Sequence, residues 1–338
     1  MSDSCQALIL TARDLPSDEA RAAVVVADAM GWTYRHEAIG SVANPWLSMS
    51  IPNAAKFTPL LASPWPEVLI TSGAEMSSVA SAARSAGSTA FHIHIGYPKY
   101  RSFADYDLVL MPEHECPPDI LASVPENVLP YRLGLSGLNA EKLKQVGQSS
   151  EARQLRLKKK SPRILGLIGA SNQMYRLSPR HASRRVKQMI GLAEQLEGSL
   201  MVVTPAHSPP EIVKAIRKAA AGADCEYVAC ESDQTDIYYR YLSSATHVLA
   251  SFESSTQLAD ANASGQMVFM LSLPARRRWI FFRQDALGRL LHAAAIKGRY
   301  ARLFTGQIRD LSYRSLHEMD RLVPEIKRIQ LAHKPQVG

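Results

Sequence analysis

"THVLASFESSTQLADANASGQMVFML", residues 246–271, decides the fold. Val248, Leu249 and Ala250 form the short apolar run of a strand buried on both faces. A corner of small hydroxyls follows, and "QMVFML" begins another such strand after Gly265. Ser254, with Gln257 three residues on, fits a capping box, so a helix opens at Ser254 or Ser255 and Gly265 closes it. Strand, helix, strand at this spacing means two parallel strands joined across one face of a sheet. The first amides of such a helix lack intrahelical partners, and the helix dipole makes that end positive. The corner is therefore a candidate anion cradle, with Asp260 one to two turns on, in reach of a sugar hydroxyl. The same residues also describe an ordinary capped helix.

The rhythm repeats in both directions. Upstream, "QALILT" (6–11), "TYRHEAI" (33–39), "EVLITSG" (67–73), "TAFHIHI" (89–95) and "YDLVLMP" (106–112) read as strands. In "SDEARAAVVVADAMG", Ala22, Val25, Val26 and Ala29 share a helix face and Gly31 ends the run. From "RILGLIGASN" (163–172) a second series starts. It takes in a helix capped by Ser178 with Pro179 in its first turn, and then the strands "SLMVVTP" and "CEYVAC". The expected fold is α/β, with two Rossmann-like domains facing a central cleft. The domains are expected over 1–155 and 160–310. A closing segment, 311–338, carries a helix interrupted by Pro324 and packs back on the first domain.

A chain of 338 residues exceeds one core of usual size. Lys+Arg 39 against Asp+Glu 31 leaves a net charge of +8, which favours anionic partners. Part of that excess is "RQLRLKKKSPR" (153–163), read as a solvated linker or as a basic face toward a membrane. Cys5, Cys116, Cys225 and Cys230 form no CxxC pair and are expected to be reduced. "MSDSCQALILTARD" lacks the features of a signal peptide, and no apolar run approaches the ~18 residues of a membrane span. The expected location is cytoplasmic, with peripheral contact at an inner membrane. Nucleic acid is not an expected partner, because the basic residues lack interleaved aromatics.

Candidate chemistry clusters after the strands. "LIGASNQMYRLSP" is the first strand-to-helix turn of the second series, where open α/β sheets bind ligands. Gly169, Ala170, Ser171 and Asn172 form a candidate backbone nest, and Arg176 adds charge. The turn is neither a G-x-G-x-x-G fingerprint nor a Walker loop. Thr204 and His207 follow another strand, and Arg276, Arg277, Arg278 and Arg283 are concentrated farther on, suited to steadying a diphosphate. In the first series His92 and His94 point to one side of their strand. Glu113 and His114 follow the next strand, and with His94 they are candidates for deprotonating a hydroxyl. His-x-His with Glu-His also invites a zinc reading, but no third ligand is fixed, and no metal is expected. Histidines satisfied inside the sheet remain an equal alternative.

Taken in order, "PWPEVLITSG", "FHIHIGYPKY", "YDLVLMPEHE", "RILGLIGASNQMYRLSP", "SLMVVTPAHSPP", "IYYRYLSSATHVLASFESSTQLADANASGQMVFML" and "RLFTG" resemble a known family. It is the bacterial branch of the plant mitochondrial-fission (elongated mitochondria) proteins. The resemblance implies the GT-B glycosyltransferase architecture, with a nucleotide sugar in the C-terminal domain and an acceptor in the N-terminal one. It implies that Asp260, five residues before Gly265, holds the ribose, and that Gly73 and Tyr97 lie on the acceptor side. The chain departs from the family at "TARDLPSDEA", where a glycine- and lysine-containing loop is usual. It departs again at Ala74 and Glu75, where two arginines are usual.

The expectation is thus a metal-independent glycosyltransferase using a nucleotide-diphosphate sugar and no further cofactor. Its acceptor would be a cell-envelope glycan or a lipid-linked one, with Arg276 or Arg278 on the diphosphate and Glu113 or His114 on the acceptor hydroxyl. The alternative is a non-catalytic scaffold of the same architecture that recruits a protein partner to a membrane surface, as the plant relatives do. An epimerase of the dinucleotide-binding kind is disfavoured, because the chain has neither that fingerprint nor a Tyr-x-x-x-Lys pair.

Overall fold

Residues 6–12, 17–39, 64–98, 101–171, 175–205, 208–229, 235–275, 291, 293–308 and 313–333 are described by the computed structural model. The chain divides into two units: unit 1 is 1–137 with 318–338, and unit 2 is 138–317. The segment 138–158 thus groups with the second unit rather than ending the first.

In unit 1 the strands are β1 (Ala7–Thr11), β2 (Tyr34–Ala38), β3 (Val68–Ser72), β4 (Phe91–Ile95), β5 (Leu108–Pro112) and β6 (Val128–Tyr131). They form one parallel sheet in the order β2-β1-β3-β4-β5-β6, which reverses direction of growth between β1 and β3. β1, β3, β4 and β5 are buried along their whole length, as strands covered on both faces must be. Helix α1 (Asp18–Met30) is capped by Ser17, whose Oγ accepts from the Ala20 amide, and ends at Gly31 in the left-handed conformation. Its buried residues are Ala20, Ala22, Ala23, Val26 and Ala27. Ala29, expected on that face, is exposed. Helices α2 (Ser77–Ser85) and α3 (Pro118–Ala122) follow.

Unit 2 opens with helices α4 (Ala140–Gln148) and α5 (Ser150–Lys158). The basic run expected as a linker is therefore largely helical: Ser149 caps α5, and Ala152 is fully buried. Then come β7 (Arg163–Leu167), α6 (Pro179–Gln195), β8 (Ser199–Thr204), α7 (Pro210–Ala220), β9 (Cys225–Ala229), α8 (Thr235–Ser244), β10 (His247–Ser251), α9 (Ser255–Ala263), β11 (Met267–Leu271) and β12 (Arg302–Leu303). The parallel sheet runs β12-β11-β10-β7-β8-β9, so its reversal lies between β7 and β10. α6 buries Val186, Met189 and Ala193 as its spacing requires.

Helix α10 (Glu318–Ala332) belongs to unit 1. Met319, Leu322 and Ile326 join a core with Ala23 and Val26 of α1 and the sheet residues Ile9, Ile70 and Ile93. Pro324 does not interrupt this helix. It removes one amide donor, while Leu322 and Ile326 on either side hold the turn in the core. Among the described residues no helix is long and apolar enough to cross a membrane.

Candidate functional site at the sheet reversals

Doubly wound sheets bind ligands outside the carboxyl ends of their strands, where the strand order reverses. In unit 2 that place is the end of β7 beside the end of β10. The two corners leaving these strands are tied together. The Gly169 amide donates to Ser251 Oγ at 2.8 Å. The Ser251 hydroxyl hydrogen has Glu253 Oε1 at 2.9 Å and the Leu167 carbonyl at 3.2 Å as acceptors. Gln257 Nε2 donates to the same Leu167 carbonyl at 3.2 Å. Glycine is required at 169, because a Cβ there would lie 1.7 Å from Glu253 Oε1.

The turn after Gly169 is closed by Ser171, whose Oγ accepts from the Leu177 amide at 2.9 Å and donates to the Leu177 carbonyl at 3.2 Å. Phe252 meets Tyr175 edge-on at 4.9 Å. Tyr175 bridges Ala275, and the Arg176 amide donates to the Pro274 carbonyl at 2.8 Å. This strap leaves the Arg176 side chain exposed at the same sheet edge. On the other corner Ser254 Oγ caps α9 by accepting the Gln257 amide at 3.1 Å. Only half of the expected capping box forms, since the Gln257 side chain turns to β7 instead.

The edge thus gathers Gly169, Ala170, Ser171, Arg176, Ser254 and Ser255. Asn172, His207, Arg276 and Arg278 lie outside the described residues. Two expected contacts are not at the surface of the edge. Thr204 is fully buried, and its Oγ1 pairs with the Tyr227 hydroxyl at 2.9 Å. Asp260 is 1% exposed, on a helix buried almost all round, so the structure as it stands gives a ribose no access to its carboxylate. The residue missed in the sequence is Glu253. Its signal was positional: it stands two residues after β10, opposite a glycine two residues after the neighbouring β7.

In unit 1 the reversal lies between β1 and β3, and Gly73 follows β3 directly. Its φ of 86° and ψ of 153° belong to a region that is essentially glycine-only. Its amide donates to the Ile95 carbonyl at 2.9 Å, and a Cβ would meet Glu19 Cγ at 3.0 Å. Tyr97 is half-buried; its ring centroid is 6.4 Å from that of Phe103, and it packs on a cluster containing Tyr106 and Met111.

The expected catalytic residues divide. His94 is fully buried in β4, its Nδ1 2.9 Å from Thr71 Oγ1 and its ring stacked on Tyr106 at 4.9 Å. Burial pushes its imidazole down to about 3, so it is a core histidine and not a surface base. His92, paired with Ser88 Oγ at 3.0 Å, is pushed down to about 4, mainly by burial. Glu113 and His114 do stand at the carboxyl edge, after β5. Glu113 pairs with Arg132 at 3.3 Å, and burial pushes His114 down to about 4. β4 separates them from β3, which puts them about 10 Å along the edge from β3. Among the described residues no three His, Cys, Asp or Glu side chains are grouped to hold a metal ion.

Comparison with known proteins agrees with this fold. A glycosyltransferase from Rickettsia africae ESF-5 superposes with a TM-score of 0.52 at 11% identity, over 97% of this chain and 99% of that one. A UDP-N-acetylglucosamine 2-epimerase from Rickettsia bellii gives 0.54 at 12%, over 97% and 96%. The S. aureus MnaA–UDP co-structure gives 0.52 at 14%, over 97% and 98%. Such likeness shows the glycosyltransferase-like GT-B fold and no more. No curated protein matches the chain. The family described as Mitochondrial fission ELM1 matches residues 19–329, and the chain belongs to that family.

Proposed function

We propose that the β7/β10 edge of unit 2 binds a nucleotide-diphosphate sugar and that the protein transfers its glycosyl group to an acceptor hydroxyl. The observation that supports this most is the joining of two strand-end corners, Gly169–Ser171 and Ser254–Ser255, at the one place where the sheet order reverses. In this reading the amides after Gly169, the first turn of α9 and the exposed Arg176 take the diphosphate. As the acceptor oxygen bonds to the anomeric carbon, the bond to the diphosphate breaks, and these donors stabilise the charge that leaves. The acceptor proton needs a base, and Glu113 and His114 are the candidates in unit 1. The burial that keeps the His114 imidazole neutral down to about 4 also makes it a weak base, which leaves Glu113 the stronger candidate. The acceptor class is a cell-envelope glycan or lipid-linked saccharide, with no metal or further cofactor.

A second reading is a scaffold that keeps the fold without the chemistry. Two observations favour it: Glu253, 8% exposed, places a carboxylate against Gly169, and Asp260 is enclosed. The similar structures include both a glycosyltransferase and 2-epimerases, so the fold alone does not choose the reaction.

The deciding experiment is release of nucleoside diphosphate from uridine, guanosine, adenosine and cytidine diphosphate sugars, with envelope extract as acceptor. The transfer reading expects acceptor-dependent release from one donor, reduced by at least about tenfold in Glu113→Gln/His114→Ala. No release from any donor, with nucleotide binding intact, leaves the scaffold.

A further inference from the structure

Leu157 on α5 is 86% exposed. A lone exposed leucine is ordinary, but this one stands among cations with no ion pair among the described residues. Arg153 lies one turn back on the same face, and Lys158 and Lys160 follow; all three are exposed. The other cations of the run are used internally. An Arg156 guanidinium nitrogen donates to the Gly147 carbonyl at 2.5 Å, and Lys159 pairs with Glu226 at 3.2 Å. The nearest acid in sequence is Glu151, two residues before Arg153 and six before Leu157.

The helix is held by its other side. Ala152 is fully buried and its carbonyl accepts from Ser244 Oγ at 3.4 Å, while the Lys160 amide donates to Ser199 Oγ at 2.9 Å. Residues 159–163 lead into the start of β7, beside the starts of β8 and β9. The patch therefore sits at the amino edge of the unit 2 sheet, away from the carboxyl edge where the two corners meet.

We infer that α5 and the turn after it dock on an anionic lipid bilayer, with Leu157 entering the headgroup layer and Arg153, Lys158 and Lys160 on lipid phosphates. One leucine ringed by cations suits a fluid charged surface. A stable protein interface would need about 800 Å² per partner with aromatic or packed apolar anchors, which this short face does not offer. Single-stranded nucleic acid would call for aromatic platforms, and α5 has none. Docking by the amino edge leaves the candidate donor edge of the same unit open, and it does not depend on the transfer reading.

The test is co-sedimentation of the full chain with phosphatidylcholine vesicles with and without phosphatidylglycerol. Binding is expected only with phosphatidylglycerol, falling steeply as salt rises. Arg153→Glu/Lys158→Glu/Lys160→Glu lowers it by at least about tenfold, and Leu157→Asn by about fivefold. All four positions are exposed, so these variants keep the fold. Leu157→Trp is expected to blue-shift its emission when those vesicles are added. Absence of binding, equal binding to neutral vesicles, or full binding by the triple variant overturns the proposal. Unshifted emission from bound Leu157→Trp overturns the leucine's insertion.

Discussion

At the reversal in unit 1, Gly73 adopts its glycine-only backbone against Glu19, and the polar side chains behind it, Thr71 and His94, face each other inside the sheet. At the reversal in unit 2, Gly169 lies against Glu253, and the polar side chains stand at the strand ends, where Ser251 and Gln257 knit two corners together. Each sheet thus sets a glycine against a glutamate where its strand order reverses. They differ in where the remaining polar groups go. In unit 1 these groups complete the interior, at the cost of imidazoles that resist charging. In unit 2 they shape an edge whose hydroxyls and amides a ligand could use. A polar residue in a parallel strand is therefore no sign of a site by itself; its distance from the carboxyl end decides.

The strongest way to probe that contrast is acid. Folded unit 1 keeps His92 and His114 neutral down to about 4 and His94 down to about 3, whereas unfolded imidazoles take protons near 6.5. Between these values the unfolded chain binds more protons. The stability they contribute is present above about 6.5 and is lost as pH falls toward 4, by up to about 3 kcal/mol for each group. Hydrogen exchange across that range should show unit 1 opening first, and His94→Gln should flatten the dependence. The next effect is at Gly169. Gly169→Ala forces a methyl into Glu253 and should cost about 3 kcal/mol in urea unfolding. Much of that should be recovered in Gly169→Ala/Glu253→Ser. Gly73→Ala should cost about 2 kcal/mol, chiefly from its backbone, so Glu19→Ala should recover little. Equal rescue at both glycines would erase the distinction. Ser254→Ala is expected to be smallest, about 1 kcal/mol for one lost cap.

Much of the architecture was readable because short apolar runs mark strands buried on both faces. Eight of the strands announce themselves this way, while β2 and β9, at the sheet edges, are mixed and partly exposed. β6 does not, because Pro130 breaks its short run, and β12 has only two residues. The basic segment 153–163 reads as linker because charge dominates it locally; its helix exists through Ala152 and the Ser149 cap, which are tertiary and positional facts. Pro324 reads as a break because the core contacts that carry α10 past it are far away in sequence. At the candidate site, the strand-end placement of Gly169, Ser171 and Ser254 was legible. The enclosure of His94, Thr204 and Asp260 was not, since a sequence shows which side a residue faces but not what covers it. Glu253 was overlooked because its meaning depends on a glycine more than eighty residues earlier.

The central claim is that the β7/β10 edge is a diphosphate site, and titration calorimetry tests it most directly. Wild type and Arg176→Ala would be titrated with uridine, guanosine, adenosine and cytidine diphosphates. The account predicts saturable one-to-one binding of one of them, weakened about tenfold or more in the variant, as loss of a charged hydrogen bond would do. Failure of all four to bind, or identical affinity in the two proteins, would contradict it.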